Sequence, residues 1–258
     1  GVTMGGGVGL SLHGPIRVAT EKTVFAMPEM AIGFFPDVGA AHMLSRCRAG
    51  LAVGAFIALT GRQLKAWDCV RAGLATHFMP SERLPRLREE LAKLSQRGAT
   101  GAVAMAACRQ AIEQVGSGAL PDPEGATLTD ENVALIERCF SAATLEEVLA
   151  RLQTETRTFA TETLRHMRKS CSPTSAKVAL RQLHEFSNPE TTIGQAVQIE
   201  YRISQRLATR PQPLSDFFEG VRAVVVDKDR EQRWSPGWDD LAAITEARVA
   251  EFFAPLEP

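Results

Sequence analysis

The sequence has no excess of charge of either sign and no long apolar segment. Lys and Arg together number 29 and Asp and Glu 30, so the formal net charge is −1. A chain of this charge lacks the basic field that draws proteins to nucleic acid or to an acidic membrane surface. No apolar run approaches the ~18 residues that a membrane-spanning helix needs. We therefore expect no membrane association, and nucleic acid contact only within a ribonucleoprotein assembly.

Cysteine and histidine are too scattered to indicate a disulfide framework or a metal site. The five cysteines contain no C-x-x-C pair, which is typical of free thiols in a reducing compartment. The histidines show none of the spacings that metal ligands have, so no bound metal is predicted. The cysteines are Cys47, Cys69, Cys108, Cys139 and Cys171. The histidines are His13, His42, His77, His166 and His184.

Common nucleotide-binding and nucleophile motifs are also absent. The chain contains no phosphate loop ending in Gly-Lys-Ser/Thr and no Gly-x-Ser-x-Gly elbow. Its glycine cluster fails the dinucleotide-binding spacing at Leu10. A Rossmann-type cofactor site, a P-loop and a serine-histidine-aspartate hydrolase are therefore disfavoured.

A glycine triplet stands near the start of the chain. Gly5-Gly6-Gly7 follows the apolar stretch Gly1–Met4 and precedes a helix start at 8–12. Glycines at a strand-to-helix turn let the backbone approach a ligand, and the unpaired N–H groups of a first helical turn favour an oxyanion. We interpret the triplet as a site for a carbonyl oxygen. The alternative is that the glycines only permit close packing of helix and strand.

Two carboxylates follow prolines in apolar surroundings. Glu29 comes directly after Pro28, and Asp37 directly after Pro36. A carboxyl group on irregular backbone among apolar neighbours can be desolvated and tuned for acid–base or nucleophilic work. The alternatives are a solvated loop acid for Glu29 and an N-cap of the next helix for Asp37.

Length and composition predict a globular chain of one or two domains. The 258 residues can bury a full core, and apolar residues make up 45%. The segment Gly116–Asp130 is rich in Gly, Pro and Asp, so we predict a linker there. Everything after it has helical periodicity. We therefore predict a first region at 1–115 and a helical C-terminal region at 131–258.

Local patterns predict individual elements. Ile16–Thr20 and Thr23–Ala26 are predicted as short strands that form a hairpin or extend a sheet. Leu51–Leu59 and Leu64–Ala72 are predicted as helices, each ended by a following glycine. Phe217–Val226 is predicted as the last apolar helix. A stripe at helical spacing is predicted to face the core; it consists of Ile193, Val197, Tyr201 and Ser204.

Two blocks carry a family resemblance. MGGGVGLSLHG and FAMPEMAIGFFPDVG resemble the crotonase (enoyl-CoA hydratase/isomerase) superfamily, and LTGRQLKAWDCVRAGLATHF continues the likeness. CFSAATLEEVL, SPTSAKVALRQL, EYRISQRL and FFEGVRAVVVDKD are similar to its branch of mitochondrial thioesterases of valine breakdown. The resemblance implies an α/β fold: a spiral of ββα units, the first of them expected to be missing before Gly1, followed by a helical C-terminal region.

The resemblance also implies roles for individual residues. Gly6 matches the peptide N–H donor of the oxyanion hole, Glu29 the catalytic glutamate, and Asp37 an aspartate that the thioesterase branch adds. All three would contact the substrate. Gly9 stands where the hydratases of the superfamily carry a second glutamate, which disfavours addition of water across a double bond.

The activity implied is hydrolysis of a short hydroxyacyl-CoA thioester in the mitochondrion. Coenzyme A would be part of the substrate, so no separate cofactor is expected. Glu29 would act either as nucleophile or as general base, and a homo-oligomer is possible within such a family. The alternatives are a hydratase or isomerase of the same superfamily, and a non-catalytic component of a mitochondrial assembly such as the mitoribosome.

Overall fold

The structure is a computed structural model that describes residues 1–96, 100–116, 118–120 and 125–256. It is an α/β fold with few, short strands and a helical C-terminal region. Within the described residues the strands are β1 (Val2–Met4), β2 (Val18–Ala19), β3 (Val24–Ala26), β4 (Leu64–Lys65) and β5 (His77–Phe78).

Helices make up most of the rest. They are α1 (Gly6–Leu12), α2 (Ala40–Leu44), α3 (Leu51–Thr60), α4 (Ala66–Ala72), α5 (Leu84–Gln96), α6 (Gly101–Val115), α7 (Asp130–Phe140), α8 (Leu145–Thr154), α9 (Thr158–Ser170), α10 (Pro173–Phe186), α11 (Ile193–Thr209), α12 (Phe217–Val221) and α13 (Glu246–Phe253). Short 3₁₀ segments are Pro28–Ile32, Ser81–Arg83 and Trp238–Ala243, and Arg222–Val226 is a π-helical turn.

The strands belong to two sheets with the orders β1-β3-β4 and β2-β5. β1 pairs parallel with β3, β3 antiparallel with β4, and β2 parallel with β5. The strands predicted within Ile16–Thr20 and Thr23–Ala26 are confirmed as β2 and β3, but the hairpin alternative is wrong, because each strand extends a different sheet. A parallel β1–β3 pair needs a crossover, and α1 lies in that connection, so β3 takes a partner from outside its own turn.

The helix predicted over Leu51–Leu59 is confirmed as α3, and Gly61 ends it in the left-handed conformation at φ 59°. The helix predicted over Leu64–Ala72 begins later, at Ala66, because the preceding residues form β4. Asp68 sets that start: one carboxylate oxygen accepts the Lys65 N–H at 3.2 Å, as an N-terminal capping interaction.

The core joins early and late parts of the chain. Phe56 of α3 packs edge-on against Phe140 of α7 at a ring-centroid distance of 5.4 Å, and against Phe159 of α9 at 5.5 Å. One hydrophobic cluster thus contains side chains from 1–115 and from 131–258. The division into two regions stays a prediction.

The predicted linker Gly116–Asp130 falls partly outside the described residues, at 117 and 121–124. Its later part is anchored. Leu128 is fully buried, and its N–H donates to the Asp68 carboxylate at 2.7 Å.

The predicted core stripe on α11 is wrong. Ile193, Val197 and Tyr201 are 41%, 47% and 58% exposed. The buried face of α11 instead carries Ala196, Glu200, Ile203 and Leu207. Both faces of α11 have helical periodicity. The buried face contains a glutamate, a residue that is typical of a solvent-exposed face.

The C-terminal segment also differs from expectation. The helix predicted over Phe217–Val226 is divided into α12 and the π-helical turn, and it is not the last, because α13 follows. Trp238 fixes the tail by donating from Nε1 to the Cys171 carbonyl at 2.9 Å. In the described part of the chain, no helix is both long and apolar enough to cross a membrane.

Candidate active site

The glycine triplet forms the turn between β1 and α1. Gly5 has φ 51°, a left-handed conformation that favours glycine. Its N–H donates to the Ala26 carbonyl at 3.3 Å, whereas the Gly6 and Gly7 amides have no acceptor among the described residues. Beyond its chain neighbours and the backbone of α1, a Cβ built on either would meet no heavy atom within 4 Å. The turn therefore presents unpaired N–H groups beside open space.

Glu29 lies against this turn. A Cβ built on Gly5 would be 2.9 Å from Glu29 Oε1, so a side chain there would displace the carboxyl group. Glu29 is 7% exposed, and its Oε2 is buried without a hydrogen-bond partner in the described structure. Burial, reinforced by the charge of Asp37, raises the pKa of Glu29 to about 8. A carboxylate with a raised pKa and a free oxygen is a strong base and a competent nucleophile.

The C-terminal region holds the 3₁₀ segment that carries Glu29. The Ser172 N–H donates to the Met30 carbonyl at 3.0 Å. Gly33 ends the segment at φ 64°, and a Cβ there would lie 2.5 Å from the Asp216 carbonyl. A Cβ on Gly220 of α12 would lie 2.2 Å from the Ile32 carbonyl carbon. Two glycines thus allow backbone-to-backbone packing that fixes Glu29.

Asp216, at the centre of this contact, is fully buried and well bonded. It accepts from Ser172 Oγ at 2.6 Å and from Gln212 Nε2 at 3.0 Å. Burial is the main reason that its pKa is raised. These bonds tie Asp216 to the start of α10, and so the Glu29 segment to the helical region.

Asp37 is half-buried in the loop between the Glu29 segment and α2. Burial raises its pKa, and its charge in turn raises the pKa of Glu29. The N-cap interpretation is wrong: Gly39 occupies the N-cap of α2 without a side-chain cap, and Asp37 contributes only its carbonyl, which accepts the Ala40 N–H at 2.9 Å. Its carboxyl group is therefore free for another role.

The position of Gly9 on α1 has no room for a side chain. A Cβ on Gly9 would lie 2.6 Å from the Val38 Cβ, well inside van der Waals contact. Val38 itself has φ 54°, an uncommon conformation for a β-branched residue. The side chain of Val38 fills the space that a side chain at position 9 would need.

Sequence reasoning missed a third acid, Glu200 of α11. It is 5% exposed, and its Oε2 accepts the Gly39 N–H at 2.9 Å. Burial, with a contribution from the charge of Asp37, raises its pKa to about 8. Helical periodicity did not reveal it, because only the structure shows that the register which Glu200 shares with Ala196 and Ile203 is buried.

A cavity of about 360 Å³ lies between the first sheet and α1. Its walls include Thr3, Ser11 and Arg17, but neither Glu29 nor Asp37.

Among the described residues no group of His, Cys, Asp or Glu has the arrangement of a metal site. The cysteines are free thiols, as predicted.

The family model described as enoyl-CoA hydratase/isomerase matches residues 1–253. The chain belongs to this family. It is 43% identical over 256 residues to the human protein named 3-hydroxyisobutyryl-CoA hydrolase, mitochondrial; that match covers 99% of this chain and 62% of the human one. The chain thus spans less than two thirds of the length of this relative.

Solved structures agree on the fold of this enoyl-CoA hydratase/isomerase family member. A carnitinyl-CoA dehydratase from Mycobacterium thermoresistibile superposes with a TM-score of 0.80 at 29% identity, covering 99% of this chain and 66% of the other. An enoyl-CoA hydratase from Rhodobacter sphaeroides gives 0.78 at 34% identity with the same coverage. The crotonase-like fold is therefore confirmed.

Proposed function

We propose that this chain carries the acid site of a CoA thioester hydrolase whose substrate is 3-hydroxyisobutyryl-CoA, in the valine catabolism of the mitochondrion. The proposal rests on the name of the human relative, which is 43% identical, and on the site itself. The observation that carries it is the position of Glu29: one oxygen against the glycine turn and the other buried without a partner.

The acyl carbonyl oxygen would accept a hydrogen bond from the Gly6 N–H. Such a bond strengthens as negative charge builds on the oxygen, so it lowers the barrier and not only the energy of the bound substrate. A Cβ built on Gly6 would meet no heavy atom within 4 Å beyond its chain neighbours and its own helix, so the backbone at Gly6 is uncovered on that side. The acyl carbon would then lie next to the Glu29 carboxylate.

Glu29 would act in one of two ways. As nucleophile, its carboxylate oxygen bonds to the acyl carbon, the carbon–sulfur bond breaks, and water hydrolyses the resulting mixed anhydride to the acid and free Glu29. As general base, it removes a proton from water that attacks the same carbon. In both, the thiolate of coenzyme A leaves and takes up a proton, which the Asp37 carboxyl would donate; alternatively Asp37 would orient the substrate hydroxyl.

This chemistry needs no metal and no cofactor apart from the coenzyme A that is part of the substrate. The carboxylates supply the base or nucleophile, and the peptide N–H supplies the electrostatic stabilisation. Acyl-CoA is accordingly the partner we propose for the site.

A second candidate is a hydratase or dehydratase, because the structural neighbours carry those names. The family resemblance implies that addition of water to an enoyl-CoA uses paired glutamates. The position of the second glutamate is Gly9, where Val38 excludes even a Cβ. Thioester hydrolysis is therefore the better account of the acids present.

The test is to assay one purified preparation with two substrates. With 3-hydroxyisobutyryl-CoA we expect release of free thiol, measured with a thiol reagent. With crotonyl-CoA we expect no loss of the enoyl absorbance. Turnover of crotonyl-CoA alone would refute the proposal in favour of a hydratase, and turnover of neither substrate would favour a non-catalytic role.

A further inference from the structure

The loop Pro36–Gly39 has a strained backbone conformation that needs support from neighbouring elements. Val38 and Gly39 are both left-handed, with φ 54° and 74°. For a β-branched residue such as Val38 this conformation is strained and requires support from the surrounding structure. Asp37 stands directly before the strained residue, so whatever holds the loop also determines where the Asp37 carboxyl points.

Bonds from different elements hold the loop. His13, just after α1, donates from Nε2 to the Val38 carbonyl at 2.7 Å. Gln182 of α10 approaches the Pro36 carbonyl with Nε2 at 3.4 Å, and Glu200 of α11 accepts the Gly39 N–H at 2.9 Å. The residues on either side of Asp37 are thus fixed by separate parts of the fold.

Glu200 and Gln182 act together. Gln182 Nε2 also donates to Glu200 Oε1 at 3.3 Å, which links the support at Pro36 to the support at Gly39. Both side chains are buried, and each comes from a helix of the C-terminal region. The pair spans the loop from its first residue to its last.

Stability alone does not explain an acid at position 200. Burying a carboxyl group is unfavourable unless it is hydrogen-bonded, and the nearby charge of Asp37 makes the ionised form of Glu200 less favourable still. An apolar residue would continue the buried face of Ala196 and Ile203. What the carboxyl adds at this position is an acceptor for the Gly39 N–H.

We propose that Glu200, with Gln182, is a positioning residue that holds the Pro36–Gly39 loop and thereby fixes the place of the Asp37 carboxyl. Its effect on rate rests on the proposed thioesterase function; its effect on the loop does not. Misplacing a catalytic group by about 1 Å can lower a rate about a hundredfold. Loss of the Glu200 carboxylate as hydrogen-bond acceptor should therefore lower mainly kcat.

The experiment compares the purified wild-type chain with Glu200→Leu and Glu200→Gln, and uses Gln198→Leu as the matched control. Gln198 lies on the exposed face of the same helix. The leucine variant removes the acceptor at similar volume, and the glutamine variant keeps an amide oxygen for the Gly39 N–H. Thiol release from 3-hydroxyisobutyryl-CoA gives kcat and KM, and hydrogen–deuterium exchange of the peptide over residues 34–44 reports the loop.

We expect Glu200→Leu to lower kcat about 10- to 100-fold with little change in KM, and to speed exchange in the loop peptide. Glu200→Gln should recover most of the lost kcat, and Gln198→Leu should behave like the wild type. A wild-type kcat and wild-type exchange in Glu200→Leu would overturn the proposal, as would equal losses in the leucine and glutamine variants.

A wild-type chain that releases no thiol would refute the proposed function, yet the exchange measurement would still decide the positioning role. If Glu200→Leu does not fold, Gln182→Leu removes the bond to the Pro36 carbonyl instead. It should speed exchange in the same peptide, and unchanged exchange would contradict the proposal.

Discussion

Glu29 and Glu200 have similar burial and the same raised pKa of about 8, yet their surroundings differ. Glu29 has an oxygen without a partner in the described structure and lies beside a glycine turn with open space. Glu200 has both oxygens engaged, by the Gly39 N–H and by Gln182. A raised pKa therefore does not by itself mark a reactive group. The free oxygen and the adjacent space do.

The same contrast separates two regions of the molecule. Residues 1–39 carry the groups that would meet a substrate, while α10, α11 and α12 carry the contacts that hold those groups. Ser172 and Gly220 fix the Glu29 segment, and Gln182 and Glu200 fix the Asp37 loop. The helical region is thus part of the acid site although none of its residues is proposed to react.

The largest effect that tests this comparison is on pH dependence. If Glu29 must be ionised to act, kcat/KM should rise about tenfold per pH unit below pH 8 and level off above it. A pH–rate profile with 3-hydroxyisobutyryl-CoA checks this. A profile that is flat from pH 6 to about 9 would contradict a role for Glu29 as nucleophile or base.

Folding stability should fall as the pH rises, whereas kcat/KM should increase. Both glutamates have folded-state pKa values near 8, above the ordinary value of 4.5, so protonation favours the folded state. Their contribution is complete below about pH 4.5 and is lost as the pH rises to about 8. Urea unfolding of the wild type and of Glu29→Gln across this range isolates the share of Glu29, because the variant should lose less stability with rising pH. If the free energy of unfolding depends on pH identically in the wild type and in Glu29→Gln, the burial assigned to Glu29 is contradicted.

The next effect concerns the contact between the two regions. Gly33→Ala places a Cβ 2.5 Å from the Asp216 backbone at φ 64°, so we expect the free energy of unfolding to fall by about 2–4 kcal/mol. The control is Gly194→Ala on α11, where the nearest atom to a new Cβ is 3.9 Å away. Urea unfolding measures both. Equal stabilities would show that the Glu29 segment does not depend on this close approach.

The smallest effect is local to α1. Gly9→Ala brings a Cβ to within 2.6 Å of Val38 and should cost about 1–3 kcal/mol of stability by overpacking. Gly7→Ala is the control, since its Cβ would meet no heavy atom within 4 Å. Urea unfolding again gives the comparison. A Gly9→Ala variant as stable as Gly7→Ala would show that Val38 moves aside easily, and space for a second glutamate would have to be reconsidered.

Sequence reasoning succeeded where the signal is local. The glycine triplet, Glu29 and Asp37 lie within one continuous stretch whose prolines and glycines determine the backbone. α3 was identified for the same reason, by an unbroken apolar run ended by Gly61. The roles of these site residues nevertheless stay predictions until they are tested chemically.

It failed where the outcome depends on distant partners. The strands around Glu21 pair with β1 and β5, not with each other, and no local pattern shows that choice. On α11 the exposed and buried faces have the same helical period. Because the buried face contains an acid, the exposed face was predicted as the core face. Glu200 was missed because its partner, Gly39, lies 161 residues away.

Free-thiol release from 3-hydroxyisobutyryl-CoA by the wild type and by Glu29→Gln, assayed side by side at pH 8, tests the central claim most directly. The substitution keeps the size of the side chain and replaces its carboxylate by a neutral amide, which is a poor nucleophile and base. We predict that the wild type releases coenzyme A and that the variant does so at least about a thousandfold more slowly, with undiminished folding stability. Release at the wild-type rate by a folded Glu29→Gln variant would contradict the claim that this carboxylate acts on the thioester.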